Sequence, residues 1–267
     1  MGQGTLHIDY LPTCSSNDLV INPDLLQVIR NAPSSYKKLD SLGIVYCKAV
    51  DSGNYKLQAS SLIGMANVYD LYMSHPEAIQ RMFAYSSRAL EVSRTGGLLD
   101  EQFRSLEQLI TMFTSYTFYG PALEYGEQFL ELSQKVNDTV RMGEAYMLMG
   151  RIAREERRFA DSESLLFLSL DLQGTSKKSR RNVSYAHLHL ANLYQRMGRY
   201  GESIAQAQKG LRSAAFEQSR DVNYLLTILK IQIIDTYIAQ NRYDFEELLE
   251  EIKVLVKDNA FLMEQGK

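Results

Sequence analysis

The chain has 267 residues, 45% of them hydrophobic, and a formal net charge of −3, which indicates a folded globular protein rather than a disordered one. The slight acidic excess argues against a general nucleic-acid binder, because such proteins usually carry a basic excess. The sequence also lacks an apolar run of the ~18–20 residues that a membrane-spanning helix requires.

Turn-forming residues are frequent near the N-terminus, and we expect an irregular arm over residues 1–21. The run Asn22–Asp24 is typical of a helix start, with asparagine predicted as the N-cap, proline at the first helical position and an acid in the first turn. Apolar spacing predicts helices near 23–31 and 35–51, with Pro33 ending the first of them.

A unit of two helices recurs five times in the rest of the chain. Its register is set by a small or aliphatic residue in the first helix, here named the anchor residue: Ala66, Ile110, Gly150, Ala191 and Ile234. The spacings of 44, 40, 41 and 43 residues give a period of about 42. The predicted repeat units lie near 55–97, 98–137, 138–174, 176–216 and 218–258, followed by a tail over 259–267.

Packing explains the pattern. A small anchor residue lets two antiparallel helices approach closely, and aromatic residues recur three and nine positions after most anchors, where they can fill the seam between hairpins. One hairpin cannot cover its own apolar face, so the hairpins must stack. The sequence therefore predicts an all-α stack of helix hairpins over residues 22–258.

The clearest copy resembles the tetratricopeptide repeat family at Leu190, Ala191, Tyr194, Gly198, Tyr200 and Leu211, and the preceding copy does so at Met149, Gly150 and Phe159. The resemblance implies a right-handed α-solenoid of antiparallel helix hairpins, a TPR-like superhelix. The chain departs from the family pattern because it lacks tryptophan and because its period exceeds the usual 34 residues. Long-period variants of this kind resemble bacterial signalling-associated TPR domains.

Polar residues follow the anchors by one and by four positions, on the helix face that the resemblance places on the concave side of the superhelix. The candidate groove residues are Asn67, Asp70, Thr111, Thr114, Arg151, Arg154, Asn192, Gln195 and Asp235. Such a ladder can hydrogen-bond the backbone of an extended peptide, and Arg151 with Arg154 suits a carboxylate. The alternative is that any solvent-facing stripe of an amphipathic helix is polar.

The resemblance also bears on the kind of peptide. Asn192 occupies an asparagine position that peptide-binding members of the family use. Met147 and Leu188 stand where the lysines of the family's carboxylate clamp for chaperone tails would be, so binding of chaperone C-termini is disfavoured.

Other features favour a role without catalysis. Cys14 and Cys47 could form one disulfide, although apolar neighbours favour Cys47 as a buried thiol. The basic run 177–181 could contact a phosphate or nucleic acid, but a lone run of this kind more often forms a solvated loop or a helix start. His187 and His189 are two residues apart and share no helix face, so we expect no metal site.

No catalytic or cofactor-binding motif is found in the sequence, and neither an enzyme nor a cofactor is predicted.

The sequence thus predicts a non-enzymatic scaffold that binds a peptide or protein segment in the concave groove, with no nucleic-acid partner and with homodimer formation left open. The alternative is a sensory or regulatory TPR domain of a bacterial signal-transduction protein, linked to a kinase or transcription regulator and excised from a longer chain. The expected compartment is cytoplasmic for a complete chain and periplasmic for an excised sensor region.

Overall fold

A computed structural model describes Cys14 and residues 33–72, 74–174, 179–215 and 222–264, which contain eleven α-helices and no strand. In chain order the helices are α1 (Pro33–Asp51), α2 (Tyr55–Asp70), α3 (Pro76–Thr95), α4 (Leu99–Ser115), α5 (Tyr119–Lys135), α6 (Thr139–Glu155), α7 (Phe159–Gln173), α8 (Arg180–Arg196), α9 (Tyr200–Ala214), α10 (Val222–Ala239) and α11 (Glu246–Glu264). The predicted all-α class is confirmed, and the packing of helices on their neighbours along the chain is that of an α-solenoid.

The chain divides into two compact units, and unit 1 ends at Tyr116. Within it, α2 packs against both α1 and α3, α4 packs against α3, and α4 also reaches α2. Tyr69 of α2 and Tyr85 of α3 are fully buried, with ring centroids 5.6 Å apart. The core of unit 1 therefore lies between the first and second helices of its hairpin.

Unit 2 begins at Thr117 and contains α5 to α11. Its most extensive contacts are within the hairpins α6–α7 and α8–α9, and the first helices α6, α8 and α10 also contact one another in that order. Leu166 of α7 and Leu190 of α8 are fully buried in one cluster with Tyr194. The first helices of successive hairpins thus form one packed layer in unit 2.

All five anchor residues are buried. At Gly150 the reason for a small residue is direct, because a Cβ there would lie 2.9 Å from Leu166 Cγ and 3.1 Å from Leu166 Cδ2. The Ser162 hydroxyl donates a 2.8 Å hydrogen bond to the Gly150 carbonyl oxygen. The anchor glycine therefore lets α7 approach the backbone of α6.

Four of the turns between consecutive helices share one backbone conformation. Seven residues after the anchor, the chain is left-handed, with φ of 62° at Thr117 and Arg157, 72° at Gly198 and 56° at Asn241. At Gly198 the next amide, that of Arg199, donates back to the Tyr194 carbonyl oxygen at 2.8 Å. This bond closes the helix end as in a Schellman motif, although only one of the four residues is glycine.

Several expectations need correction. The helix predicted near 35–51 begins earlier, at Pro33, because the missing N–H of a proline is harmless at a first helical position. Cys47 is no buried thiol; it is half-buried and forms a disulfide with Cys14. Tyr243 is 67% exposed and does not fill a seam, since α11 begins only at Glu246.

Some predictions fall outside the described residues: the arm over 1–21 except Cys14, the helix near 23–31, the last three residues of the tail, and the first part of the basic run 177–181. The division of the chain into five repeat units stays a prediction. None of the helices in the described ranges is long and apolar enough to cross a bilayer.

Candidate functional site

The first helices of unit 2 present three candidate residues at one register position. Arg151 of α6, Asn192 of α8 and Asp235 of α10 each follow an anchor residue by one position. Arg151 and Asn192 are half-buried and Asp235 is exposed. Because α6 contacts α8 and α8 contacts α10, the three residues lie on successive helices of one layer. They are named the first-helix row below.

Side-chain bonds join α6 to α8 beside this row. The Arg154 guanidinium donates through Nη2 to Glu155 Oε1 at 2.7 Å and through Nη1 to His189 Nδ1 at 3.4 Å. The other oxygen of Glu155, Oε2, lies 2.9 Å from Arg196 Nη2 of α8. Arg154 is itself buried, so it holds the two helices together rather than facing solvent.

The charge states of this cluster follow from its surroundings. Burial lowers the pKa of His189 well below its usual value, and the charges of Arg154 and Arg151 act in the same direction, so the ring is neutral and Nδ1 accepts. Burial raises the pKa of Glu155, but the bonds and charges of Arg154 and Arg196 outweigh it and hold that pKa below its usual value. Two guanidinium groups, those of Arg154 and Arg196, contact the Glu155 carboxylate, and the positive charge of Arg151 acts on Arg154. These four groups together carry a net positive charge, so the α6–α8 end of the row is electropositive.

A second seam joins α8 to α10. Gln232 is buried, and its Nε2 donates to Gln195 Oε1 at 3.0 Å. The Thr236 hydroxyl, one turn further along α10, donates to the Gln232 carbonyl oxygen at 2.8 Å and lies 3.0 Å from Ser203 Oγ of α9. Gln195, a predicted groove residue, thus serves to position α10.

Unit 1 contains a related seam between its first helices. The Gln108 amide of α4 donates to Asn67 Oδ1 at 2.6 Å and to the Ile63 carbonyl oxygen at 3.1 Å, both on α2. Asn67 is exposed, but its side-chain oxygen is already held by this bond. The amide of Gln108 therefore performs in unit 1 the role that Gln232 performs in unit 2.

The other candidates of unit 1 differ in accessibility. Thr114 is buried and donates to the Ile110 carbonyl oxygen of its own helix at 2.7 Å, so it does not face solvent. Thr111 is half-buried and Asp70 is exposed. Burial raises the pKa of Tyr116, and the nearby charge of Asp70 adds to that shift.

The seam residues were missed by sequence reasoning. Gln108, His189 and Gln232 each stand two positions before an anchor residue, and their partners are the predicted groove residues Asn67, Arg154 and Gln195. A polar side chain at this interior register position in three repeats is the signal that could have identified them. Of the unit 2 candidates, Arg151, Asn192 and Asp235 take no part in these three seam bonds and are half-buried or exposed.

Among the described residues, no group of three His, Cys, Asp or Glu side chains could hold a metal ion. No protein-family model matches the chain, and no curated protein matches it. The crystal structure of BtubC (BKLC) from P. vanneervenii is similar, with a TM-score of 0.60 at 12% identity over 84% of this chain and 91% of that chain. At this identity the likeness shows the fold alone, a helical repeat architecture.

Proposed function

We propose that this protein is a non-enzymatic interaction scaffold of the tetratricopeptide-like class, which binds a peptide or protein segment across the first helices of unit 2. The observation that carries the proposal is the first-helix row. Arg151, Asn192 and Asp235 stay partly or fully accessible at one register position, while the polar residues beside them are used in the seams.

The chemistry of the row suits an extended segment. A peptide that leaves water must exchange its backbone hydrogen bonds for new ones, and an amide side chain can both donate and accept. The described contact of Asn192 is a 2.9 Å bond from Nδ2 to the Leu188 carbonyl oxygen, which orients the amide on α8. Arg151 can bind a carboxylate with two parallel hydrogen bonds.

The seams support the proposal through preorganisation. Binding affinity is reduced by every side chain and helix that must be ordered when the ligand arrives. The bridge from Arg154 through Glu155 to Arg196 and the amide bond between Gln232 and Gln195 fix the three helices beforehand. A ligand that meets the row therefore finds its contact groups already in place.

The test is affinity capture on the immobilised protein with identification by mass spectrometry, followed by competition with soluble variants. Wild type should displace the captured partner, whereas Arg151→Glu with Asn192→Ala should not. The matched control is Gln208→Ala with Arg212→Glu, which makes the same changes on the exposed face of the second helix α9 and should compete like wild type. Equal competition by all three proteins would reject the site.

A second candidate is the sensory region of a bacterial signal-transduction protein, and the disulfide between Cys14 and Cys47 favours it. Disulfides persist in oxidising compartments such as the periplasm and are rare in the cytosol. Trapping of free thiols in intact cells tests this candidate. If the disulfide protects both cysteines from the thiol reagent, the result supports the sensory candidate. If both cysteines react as free thiols, the result rejects it.

A further inference from the structure

The helix α10 is apolar around most of its circumference. One side is buried against α8 and α9 through Leu225, Leu229 and Ile233, and α11 packs beside it, with Leu248 against the cluster of Ile233. A helix that is hydrophobic all round is normally covered on every side. The opposite side of α10 nevertheless faces solvent, so it carries apolar surface without a described cover.

Four of the exposed residues of α10 form one stripe, named the α10 stripe: Tyr224, Ile231, Asp235 and Ile238. Their offsets of 7, 11 and 14 residues from Tyr224 place them along one side of the helix. Tyr224 is 54% exposed, Ile231 42% and Ile238 45%. The stripe therefore has large apolar side chains on both sides of a single carboxylate.

The carboxylate constrains what can cover the stripe. No ion pair of Asp235 is found among the described residues. An apolar cover alone would remove Asp235 from water without a partner, which is strongly unfavourable. A suitable occupant must therefore bring a cation to Asp235 and apolar side chains to Ile231 and Ile238.

We propose that the α10 stripe binds a linear segment in which a lysine or arginine is flanked by apolar residues. This proposal rests on the proposed function, because the same segment also crosses the first-helix row and places an acidic residue at α6. The acidic residue meets the electropositive end of the first-helix row, where Arg151 lies beside Arg154 and Arg196. The binding face is then bipolar, which fixes the direction of the segment.

The helix spacing sets the distance between the two charges. Packed helices lie about 8–10 Å apart, so two steps from α10 to α6 cover roughly 20 Å. An extended chain advances about 3.3 Å per residue, so the basic and acidic residues should be about six positions apart. A second copy of this chain paired through the same stripe is a poorer occupant, because the stripe contains no cation and such pairing would cover Asp235 without a positively charged partner.

Selection from a displayed library of short linear peptides tests the proposal. Wild type should enrich peptides with the apolar–basic–apolar pattern and an acidic residue about six positions away. Asp235→Lys should bind the enriched peptides at least about tenfold more weakly, since close charge pairs at interfaces contribute more than that factor. Asp171→Lys makes the same charge change on the exposed side of α7 and should bind them like wild type.

The outcomes separate this inference from the proposed function. If binding of the enriched peptides depends on Arg151 but the peptides contain no basic residue, the inference is overturned and the proposed function stands. No enrichment at all would overturn both. Dimerisation of the wild type in sedimentation experiments that Asp235→Lys abolishes would assign the stripe to a second copy and overturn the inference as well.

Discussion

The Tyr194 hydroxyl of α8 donates a 2.5 Å hydrogen bond to Glu163 Oε1 of α7 and so joins two consecutive hairpins. Burial raises the pKa of Tyr194 to about 12, and the bond to Glu163 adds to that shift, so the phenol stays protonated as a donor. The Arg199 guanidinium lies 4.3 Å from the centroid of the ring. Tyr194 therefore both fills the seam and donates across it.

Truncation of this residue should show both roles. Tyr194→Ala should lower the free energy of unfolding by about 3–5 kcal/mol, because it leaves a cavity and removes a hydrogen bond to the Glu163 carboxylate. Tyr194→Phe keeps the ring and should cost about 1.5–3 kcal/mol, the range for a lost hydrogen bond to a charged group. Urea unfolding followed by circular dichroism measures both values. A loss below about 0.5 kcal/mol for the alanine variant would place the ring outside the core.

The substitution Gly150→Ala, which adds a methyl group at an anchor position, should destabilise the protein. A Cβ there would lie 2.9 Å from Leu166 Cγ, and Leu166 is fully buried, so overpacking should cost about 1–3 kcal/mol. Gly201→Ala is the matched control, since nothing lies within 4 Å of a Cβ there and helix propensity should stabilise that variant by up to about 1 kcal/mol. Stabilisation of both variants would contradict the close approach of α7 to α6.

Sequence periodicity predicted the helices and the buried anchors because both depend on local spacing along one chain segment. It also placed the first-helix row on an accessible face. It could not predict that Gln108 would hold Asn67 or that Gln232 would hold Gln195, because such pairs depend on the rotation and offset of neighbouring helices. The left-handed turn at Arg157 was equally hidden, since that conformation usually requires glycine or asparagine.

Acidification should destabilise unit 2 through His189. Its pKa in the folded protein lies well below 6.5, its ordinary value, so the unfolded chain binds a proton that the folded protein does not. The free energy of unfolding should therefore decrease as the pH falls below about 6.5. His189 contributes up to about 1.4 kcal/mol to this decrease for each pH unit. Urea midpoints measured between about pH 7 and pH 5 should shift less for His189→Gln than for wild type. Equal shifts would show that His189 is not buried as a neutral ring.

Reduction of the disulfide should destabilise the protein. Cys14 and Cys47 are 33 residues apart. Closing a loop of that length lowers the entropy of the unfolded chain, which in the chain-entropy model raises the free energy of unfolding by up to about 4 kcal/mol. A reductant should lower the thermal midpoint of wild type but not that of Cys14→Ser with Cys47→Ser, whose midpoint should equal that of reduced wild type. An unchanged midpoint after confirmed reduction of wild type would contradict this account.

Binding at the first-helix row is tested most directly by calorimetric titration of a captured or selected peptide into three proteins. Wild type and the α9 control, Gln208→Ala with Arg212→Glu, should bind with equal affinity. Arg151→Glu with Asn192→Ala should bind at least about a hundredfold more weakly with unchanged helical content, because it removes one charged and one amide contact and adds a repulsive charge. Equal affinity of all three proteins would contradict the assignment of the binding face to α6, α8 and α10.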